Sequence, residues 1–299
     1  MYRHLDATPR RRAAGFASIA LASIALASIA LASIASPRLA AADAPAAEGS
    51  GTDSRLPELS YLWDGGALPF FWGAAAGTFA LNRLVEPRAE PLGFGADEGG
   101  TPPASWTLPD WPVLGTGVAV SLAMGLSGDA AGWYHAKGLA ESLATGELIT
   151  TSLKLAVGRH RPDWAPGDTG HSQHESFPSG HATKAFAIAT YAALYLHEHV
   201  FDGVRGSKLF VGGVQGATYG ALTVAATAVA FERVYHNRHH VSDVLAGGAL
   251  GAAESTLFFL YQEHRFRHRD RGEPALAITP AIAPVGAGTG AAVQLGGTF

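Results

Sequence analysis

Charge is what this chain rations, and where the charges fall limits the folds open to it. Five long runs between residues 67 and 261 are predominantly apolar: 67–85, 113–128, 182–200, 211–231 and 244–261. Runs of 16 to 21 residues suit helices rather than strands. Only 15% of residues are charged against 47% apolar, where about 25% charged is usual for a soluble domain. The expected fold is an all-α helical bundle embedded in a membrane, although tight packing of a soluble helical core remains an open alternative. Gly212, Gly216 and Gly220 recur at four-residue spacing, as do Gly247 and Gly251. On helices such a stripe predicts close backbone approach.

The segment between the first two runs, 86–112, contains six prolines and reads as loop. From Gly132 to Val157, Leu139, Leu143, Ile149 and Leu153 alternate with Lys137, Glu141 and Glu147. That pattern predicts one or two amphipathic helices rather than a membrane span. Near the N-terminus, Arg10, Arg11 and Arg12 precede an uncharged stretch, Ala13–Ala35, made of four near-copies of A-S-I-A-L. A basic start, an apolar centre and small residues at the end describe an export signal, cleaved or retained as an anchor. The expected organisation is therefore a signal at 1–35, a flexible linker at 36–60, a helical domain at 61–272 and a tail at 273–299. The tail, with alternating runs at Ala275–Ile278 and Ala292–Leu295, is expected to be irregular or a small β-hairpin.

The chain has no cysteine, so disulfides, thiolate catalysis and Cys-ligated zinc are excluded, and a net charge of −4 gives no reason to expect nucleic-acid binding. What remains is concentrated in three cationic clusters, each at the edge of an apolar run. The first, Lys154 to Arg161-Pro162, reads K-x6-R-P. Pro162 should end a helix just before it, leaving two cations that can share one pocket. The second is Pro178-Ser179-Gly180-His181, opening the run from Ala182. A Ser-Gly pair at a helix start offers free N–H groups and a hydroxyl to an anion, with His181 in reach as a proton donor. The third is Arg233 to His239 to Asp243, or R-x5-H-x3-D. An aspartate four residues beyond a histidine can fix its tautomer and leave the other nitrogen free to attack. Taken singly, each cluster is also satisfied by a blander reading: a basic helix end, a serine N-cap, or a solvated turn. Three in this order, all at helix edges, point to one anion site.

These residues resemble the phosphatidic acid phosphatase type 2 and vanadium-dependent haloperoxidase superfamily, whose signature is K-x6-R-P, P-S-G-H and S-R-x5-H-x3-D. The match covers Lys154 to Asp243, the central third of the chain. The resemblance implies that Lys154, Arg161, Ser179, Gly180 and Arg233 bind phosphate. It implies further that His239 is the nucleophile, Asp243 orients it, and His181 protonates the leaving group. Glu232 stands where the family has serine, and position 232 is expected to point away from the phosphate.

Metal independence is expected, with no cofactor: no carboxylate cluster suited to magnesium accompanies the cations, and His171, His174, His236 and His240 form no clear ligand set by spacing. The expected substrates are phosphorylated lipids or isoprenyl (di)phosphates. A soluble periplasmic acid phosphatase and a vanadate-dependent haloperoxidase are the alternatives, with a silent membrane scaffold as a third class. Arg83 and Arg88, Arg205 and Lys208, and Arg265 to Arg271 are expected to face the cytoplasm. That places the three clusters on the external face, provided that 132–157 stays on that side.

Overall fold

A computed structural model describes residues 68–87, 107–127, 130–165, 167, 170–202, 206–268, 279–285 and 290–296. The expected signal at 1–35, the linker at 36–60, Arg88, Arg205, Arg269 and Arg271 lie outside the described residues. Among the described residues, a π-helical turn at Leu68–Gly73 is followed by six α-helices: α1 (Ala74–Leu84), α2 (Asp110–Gly125), α3 (Ala130–Val157), α4 (Gly180–Tyr195), α5 (Lys208–Tyr235) and α6 (Val241–His268). An antiparallel pair, β1 (Thr279–Val285) with β2 (Gly290–Gly296), follows them, Ile282 opposite Val293. The last four apolar runs became helices that begin two or three residues before the run, taking in polar residues of the first turn such as Asp110 and Asp243, whereas the run 67–85 contains the π-helical turn and α1.

Gly132–Val157 departs from expectation. It is part of one continuous helix that traverses the bundle, with Trp133 and Ala136 against Gly125 at one end and Lys154 beside Gly180 at the other. Successive helices α2 to α6 thus alternate in direction. Helix α1 advances along α3, from Thr145, whose hydroxyl donates to the Phe70 carbonyl, to Leu148 at Gly77. Arg83 at its C-terminus therefore lies towards the Lys154 end, and not with Lys208, Arg265 and Arg267 as the charge pattern suggested. Nor does Pro162 end α3. Gly158 does, at φ +64, where its N–H bonds the Lys154 carbonyl at 2.9 Å; a left-handed residue of this kind favours glycine.

The core runs through Met124, Leu139, Ile188, Tyr191, Leu222, Val229 and Phe259. Helices α4 and α6 are in backbone contact: a Cβ on Gly251 would lie 2.1 Å from the Thr183 carbonyl, and one on Gly247 2.5 Å from that of Ser179. This contact brings the start of α6 to the start of α4. The other glycine stripe does something different. Cβ atoms at Gly212, Gly216 and Gly220 would meet nothing within 4 Å, so that face of α5 is unpartnered among the described residues.

Helices α5 and α6, 28 residues each, are long and apolar enough to cross a membrane. Outward-facing Leu209, Phe210, Val224 and Phe231 on α5, Leu245, Leu257 and Leu260 on α6, and Trp111, Leu114, Val118 and Leu122 on α2 leave large apolar side chains exposed.

Candidate active site

The three clusters meet at one end of the bundle, at the C-terminus of α3, the N-termini of α4 and α6, and the turn after α5. Each is delivered by a local device. Asn237 at φ 56 reverses the chain after α5, so that the N–H groups of Arg238 and His239 both bond the Arg233 carbonyl, at 3.0 and 3.2 Å. Ser179 occupies the N-cap position of α4, yet its hydroxyl caps nothing. Buried at 0% exposure, its Oγ has no hydrogen-bond partner among the described residues.

His239 is 3% exposed, and its Nδ1–H donates to the Ser176 carbonyl at 2.7 Å. A carbonyl only accepts, so this bond fixes the tautomer and leaves the lone pair on Nε2. Asp243, expected to fix this tautomer, stands 3.7 Å from the same Nδ1. Its carboxylate accepts instead from Ser176 Oγ (2.6 Å), the His240 N–H (2.9 Å) and Arg159 Nη1 (2.7 Å). Asp243 thus holds the segment that holds His239. Burial pushes the His239 imidazole down to about 3, with the Asp243 carboxylate opposing and the charges of Arg161, Lys154 and Arg233 adding to the effect. The ring is neutral over the physiological range.

Cationic groups surround it. Arg161 is anchored by its backbone N–H to the Gln173 carbonyl at 3.0 Å and by Nε to the Ser172 carbonyl at 2.6 Å, which leaves buried Nη1 without a partner among the described residues. Burial, with Arg238 and Arg233 alongside, pushes its guanidinium down to about 10. Arg233 is 4% exposed and its Nε is likewise unpaired among the described residues. Lys154 Nζ lies 3.7 Å from where a Cβ on Gly180 would sit, at the start of α4. Helix starts present N–H groups that the helix itself leaves unpaired.

One segment occupies part of this space. The Leu108 carbonyl accepts from Arg233 Nη1 at 2.9 Å and from His181 Nε2 at 3.0 Å. Its N–H donates to Glu232 Oε1 at 2.8 Å. Glu232 therefore points to the strap ahead of α2, and its Oε2 lies 3.5 Å from Arg233 Nη1. On its other side His181 Nδ1 lies 3.4 Å from Asp110 Oδ1, which Lys184 also holds at 3.2 Å. Burial and then Arg233 push the His181 imidazole down to about 4, against the pull of Asp110.

Sequence reasoning missed four participants. Arg159 sits in the first cluster and shares its signal, a cation beside Arg161. Ser176 contributes through its carbonyl and hydroxyl, and nothing in its residue type marks the first role. Leu108 and Asp110 lie in the proline-rich loop, far along the chain from every motif. The histidines weighed as metal ligands are otherwise engaged: His236 Nε2 lies 3.9 Å from Glu232, and His240 Nε2 contacts the His160 carbonyl at 3.2 Å. His174 packs edge-on against His160, and the His171 side chain lies outside the description.

Residues 136–267 match the model of the PAP2 superfamily. Among curated relatives, phosphatidylglycerophosphatase B of Bacillus subtilis is 35% identical over 116 residues, covering 39% of this chain and 51% of the relative. Lipid A 1-phosphatase of Rhizobium johnstonii is 35% identical over 120 residues (37% and 41%), and lipid phosphate phosphatase 2 of Arabidopsis thaliana 31% over 186 residues (52% and 61%). The chain thus spans about half the length of the curated relatives it matches. No solved structure matches it significantly. Residues 136–267, which contain every motif from Lys154 to Asp243, are thus similar to the PAP2 superfamily.

Proposed function

We propose that the protein is a metal-independent phosphatase that hydrolyses phosphate monoesters of lipids or isoprenyl (di)phosphates through a phosphohistidine on His239. The observation that carries this reading is a neutral, oriented imidazole among buried donors that lack partners within the described residues: Arg161 Nη1, Arg233 Nε and Ser179 Oγ. Unpaired buried cations are costly, and an anion with several acceptor oxygens removes that cost. His239 Nε2 attacks phosphorus as the bond to the leaving oxygen breaks. Lys154, Arg161 and Arg233 hold the equatorial oxygens and neutralise their charge. The His181 Nε2 proton passes to the leaving oxygen. Water then attacks the phosphohistidine, returns a proton to His181 and releases phosphate with His239 neutral again. In this scheme a substrate oxygen replaces the Leu108 carbonyl at Arg233 and His181, so the strap must yield for the reaction to begin.

The names of the relatives support a phosphorylated lipid as substrate. The exposed apolar faces of α2, α5 and α6 support a membrane setting. Lys208, Arg265 and Arg267 lie at the end remote from the site, which favours a site facing the periplasm or exterior. The direct test is phosphate release from lipid and water-soluble monoesters by purified protein in EDTA. Turnover of a lipid phosphate, inhibited by vanadate, is the expected result. Inactivity across the panel, or peroxide-dependent halide oxidation with vanadate and no phosphate release, would overturn the assignment.

Two further outcomes are expected. With His239 pushed down to about 3, its protonation does not limit the reaction near neutral pH. The acid, His181, sits at about 4 in the free protein, so its protonated fraction falls as pH rises above that value. The profile of kcat/KM should therefore decline from pH 4 to 8. The limb of kcat should lie at higher pH, because a bound phosphoryl group favours the imidazolium. A kcat/KM profile that instead rises through the ordinary histidine range would contradict these roles. Second, Glu232→Gln keeps an acceptor for the Leu108 N–H but removes the negative charge 3.5 Å from Arg233. Inhibition by inorganic phosphate should tighten by roughly 3–10-fold, the size of a partly screened contact. Unchanged inhibition would show that Glu232 does not compete for Arg233.

A further inference from the structure

The helices that build the phosphate site bring a second group of side chains together at their far ends. His135 on α3, His199 in the π-helical turn Leu196–Phe201 that continues α4, and Glu263 on α6 form a triangle. His135 Nε2 lies 3.0 Å from Glu263 Oε2, His199 Nε2 lies 2.9 Å from the same oxygen, and the two nitrogens are 3.1 Å apart. Asp243 and Glu263 are twenty residues apart on one helix, which separates the two sites by about 30 Å.

Protons alone do not satisfy this triangle. Each Nε2 carries either one hydrogen or one lone pair. If both carry hydrogen, both bond the carboxylate, and the N···N edge sets two N–H groups against each other. If one carries hydrogen, the other nitrogen turns its lone pair to the carboxylate. If neither does, the N···N edge sets lone pair against lone pair. With the Glu263 carboxylate ionised, one edge is repulsive in every arrangement. A single cation at the centre satisfies all three donors at once. For zinc, with bonds of about 2.0–2.1 Å to nitrogen and oxygen, tetrahedral geometry places neighbouring donors about 3.3 Å apart. The three edges fall only a few tenths of an ångström short of that.

The surroundings suit a metal. Tyr191, fully buried, places its hydroxyl 3.1 Å from His135 Nδ1, and Gly138 makes room for it: a Cβ there would lie 2.2 Å from the Tyr191 oxygen. A partner on the second ring nitrogen is what orients a ligating histidine. Glu263 Oε1 is held by Arg267 Nε, which leaves Oε2 for the metal. Phe259 stacks on the His135 ring at 4.7 Å. The His199 side chain, 13% exposed, gives access from the surface, while His135 is fully buried.

We infer that His135, His199 and Glu263 form a Zn2+ site that ties α3, α4 and α6 together at the end of the bundle remote from the phosphate site. Three protein ligands leave a fourth position for water. This inference does not depend on the proposed activity, which needs no metal.

The test uses the full chain, untagged, in detergent, freed of metal with EDTA and then titrated with Zn2+ alone. Metal content, the visible spectrum with Co2+ in place of Zn2+, and the thermal midpoint are read in parallel. One Zn2+ per chain is expected, with a tetrahedral Co2+ spectrum and a midpoint raised by Zn2+. Removing a ligand in His199→Ala or Glu263→Gln should weaken binding by more than the roughly 10–100-fold expected for Tyr191→Phe, which removes only the orienting hydroxyl. The stacked pair His264 and His268, four residues apart on α6, provides the control. Changing both to alanine should leave binding intact. Binding lost in that control but kept in His199→Ala and Glu263→Gln, or less than one Zn2+ per wild-type chain, would overturn the proposal. Since Glu263→Gln keeps the size of the side chain, loss of Zn2+ with native circular dichroism separates lost ligation from lost folding.

Discussion

His239→Ala is expected to lower kcat by roughly 10⁴-fold or more while leaving the helical content unchanged. That magnitude is what loss of a nucleophile costs when the rest of the site still binds substrate. The fold should survive because the turn that carries His239 is held by its backbone, through the N–H groups of Arg238 and His239 on the Arg233 carbonyl. Removal of the ring frees the Ser176 carbonyl, but Ser176 Oγ stays on Asp243 and the Ser176 N–H on the Arg159 carbonyl. Circular dichroism and binding of vanadate, which needs the cationic cradle more than the nucleophile, check this half of the expectation. A variant that retains a tenth of the wild-type rate would exclude His239 as the attacking group.

The second large effect concerns a residue that the K-x6-R-P signature leaves unspecified. Arg159, 7% exposed, donates to Asp243 Oδ1 at 2.7 Å and to Ser242 Oγ at 2.6 Å. Arg159→Ala leaves a fully buried carboxylate without its cation, and breaking a buried pair from one side typically costs about 3–5 kcal/mol. We expect a loss of that order in denaturant unfolding. A fall in kcat should accompany it, because Asp243 fixes Ser176 and Ser176 fixes His239. Arg159→Lys retains the charge but loses the rigid planar guanidinium, and should recover much of the stability and less of the rate. Stability unchanged within 1 kcal/mol in Arg159→Ala would mean that Asp243 is held by Ser176 and the His240 N–H alone.

Much of this site is legible in the sequence, and the limits of that reading have physical causes. Low charge with clusters at helix edges was enough to expect a helical bundle and a shared cationic site, because charges in an apolar setting must be gathered and neutralised together. Helix identity was legible for the apolar runs. For Gly132–Val157 the charged residues predict amphipathic helices rather than a span. In the structure they are satisfied inside the bundle, Glu141 by Gln262 at 2.6 Å and Glu147 by Lys184 at 2.8 Å. Spacing cannot reveal partners more than 30 residues away. The same limit explains Leu108, whose role lies in a backbone carbonyl, and Ser176, whose carbonyl rather than any carboxylate sets the His239 tautomer. Of the two glycine stripes, Gly247 and Gly251 meet α4, whereas Gly212, Gly216 and Gly220 face outwards; a stripe shows that a close approach is possible and not that it occurs. The His135, His199 and Glu263 triangle is invisible to spacing, since 64 residues separate each member from the next along the chain.

The most direct measurement is to trap the phosphorylated protein. Wild-type protein mixed with a turned-over lipid phosphate and quenched in alkali within milliseconds, where phosphohistidine survives, is digested and sequenced by mass spectrometry. The account predicts one phosphoryl group on the imidazole of His239, formed no more slowly than turnover and missing in His239→Ala. A phosphoryl group on any other side chain, or turnover with none on the protein at any time, would contradict it.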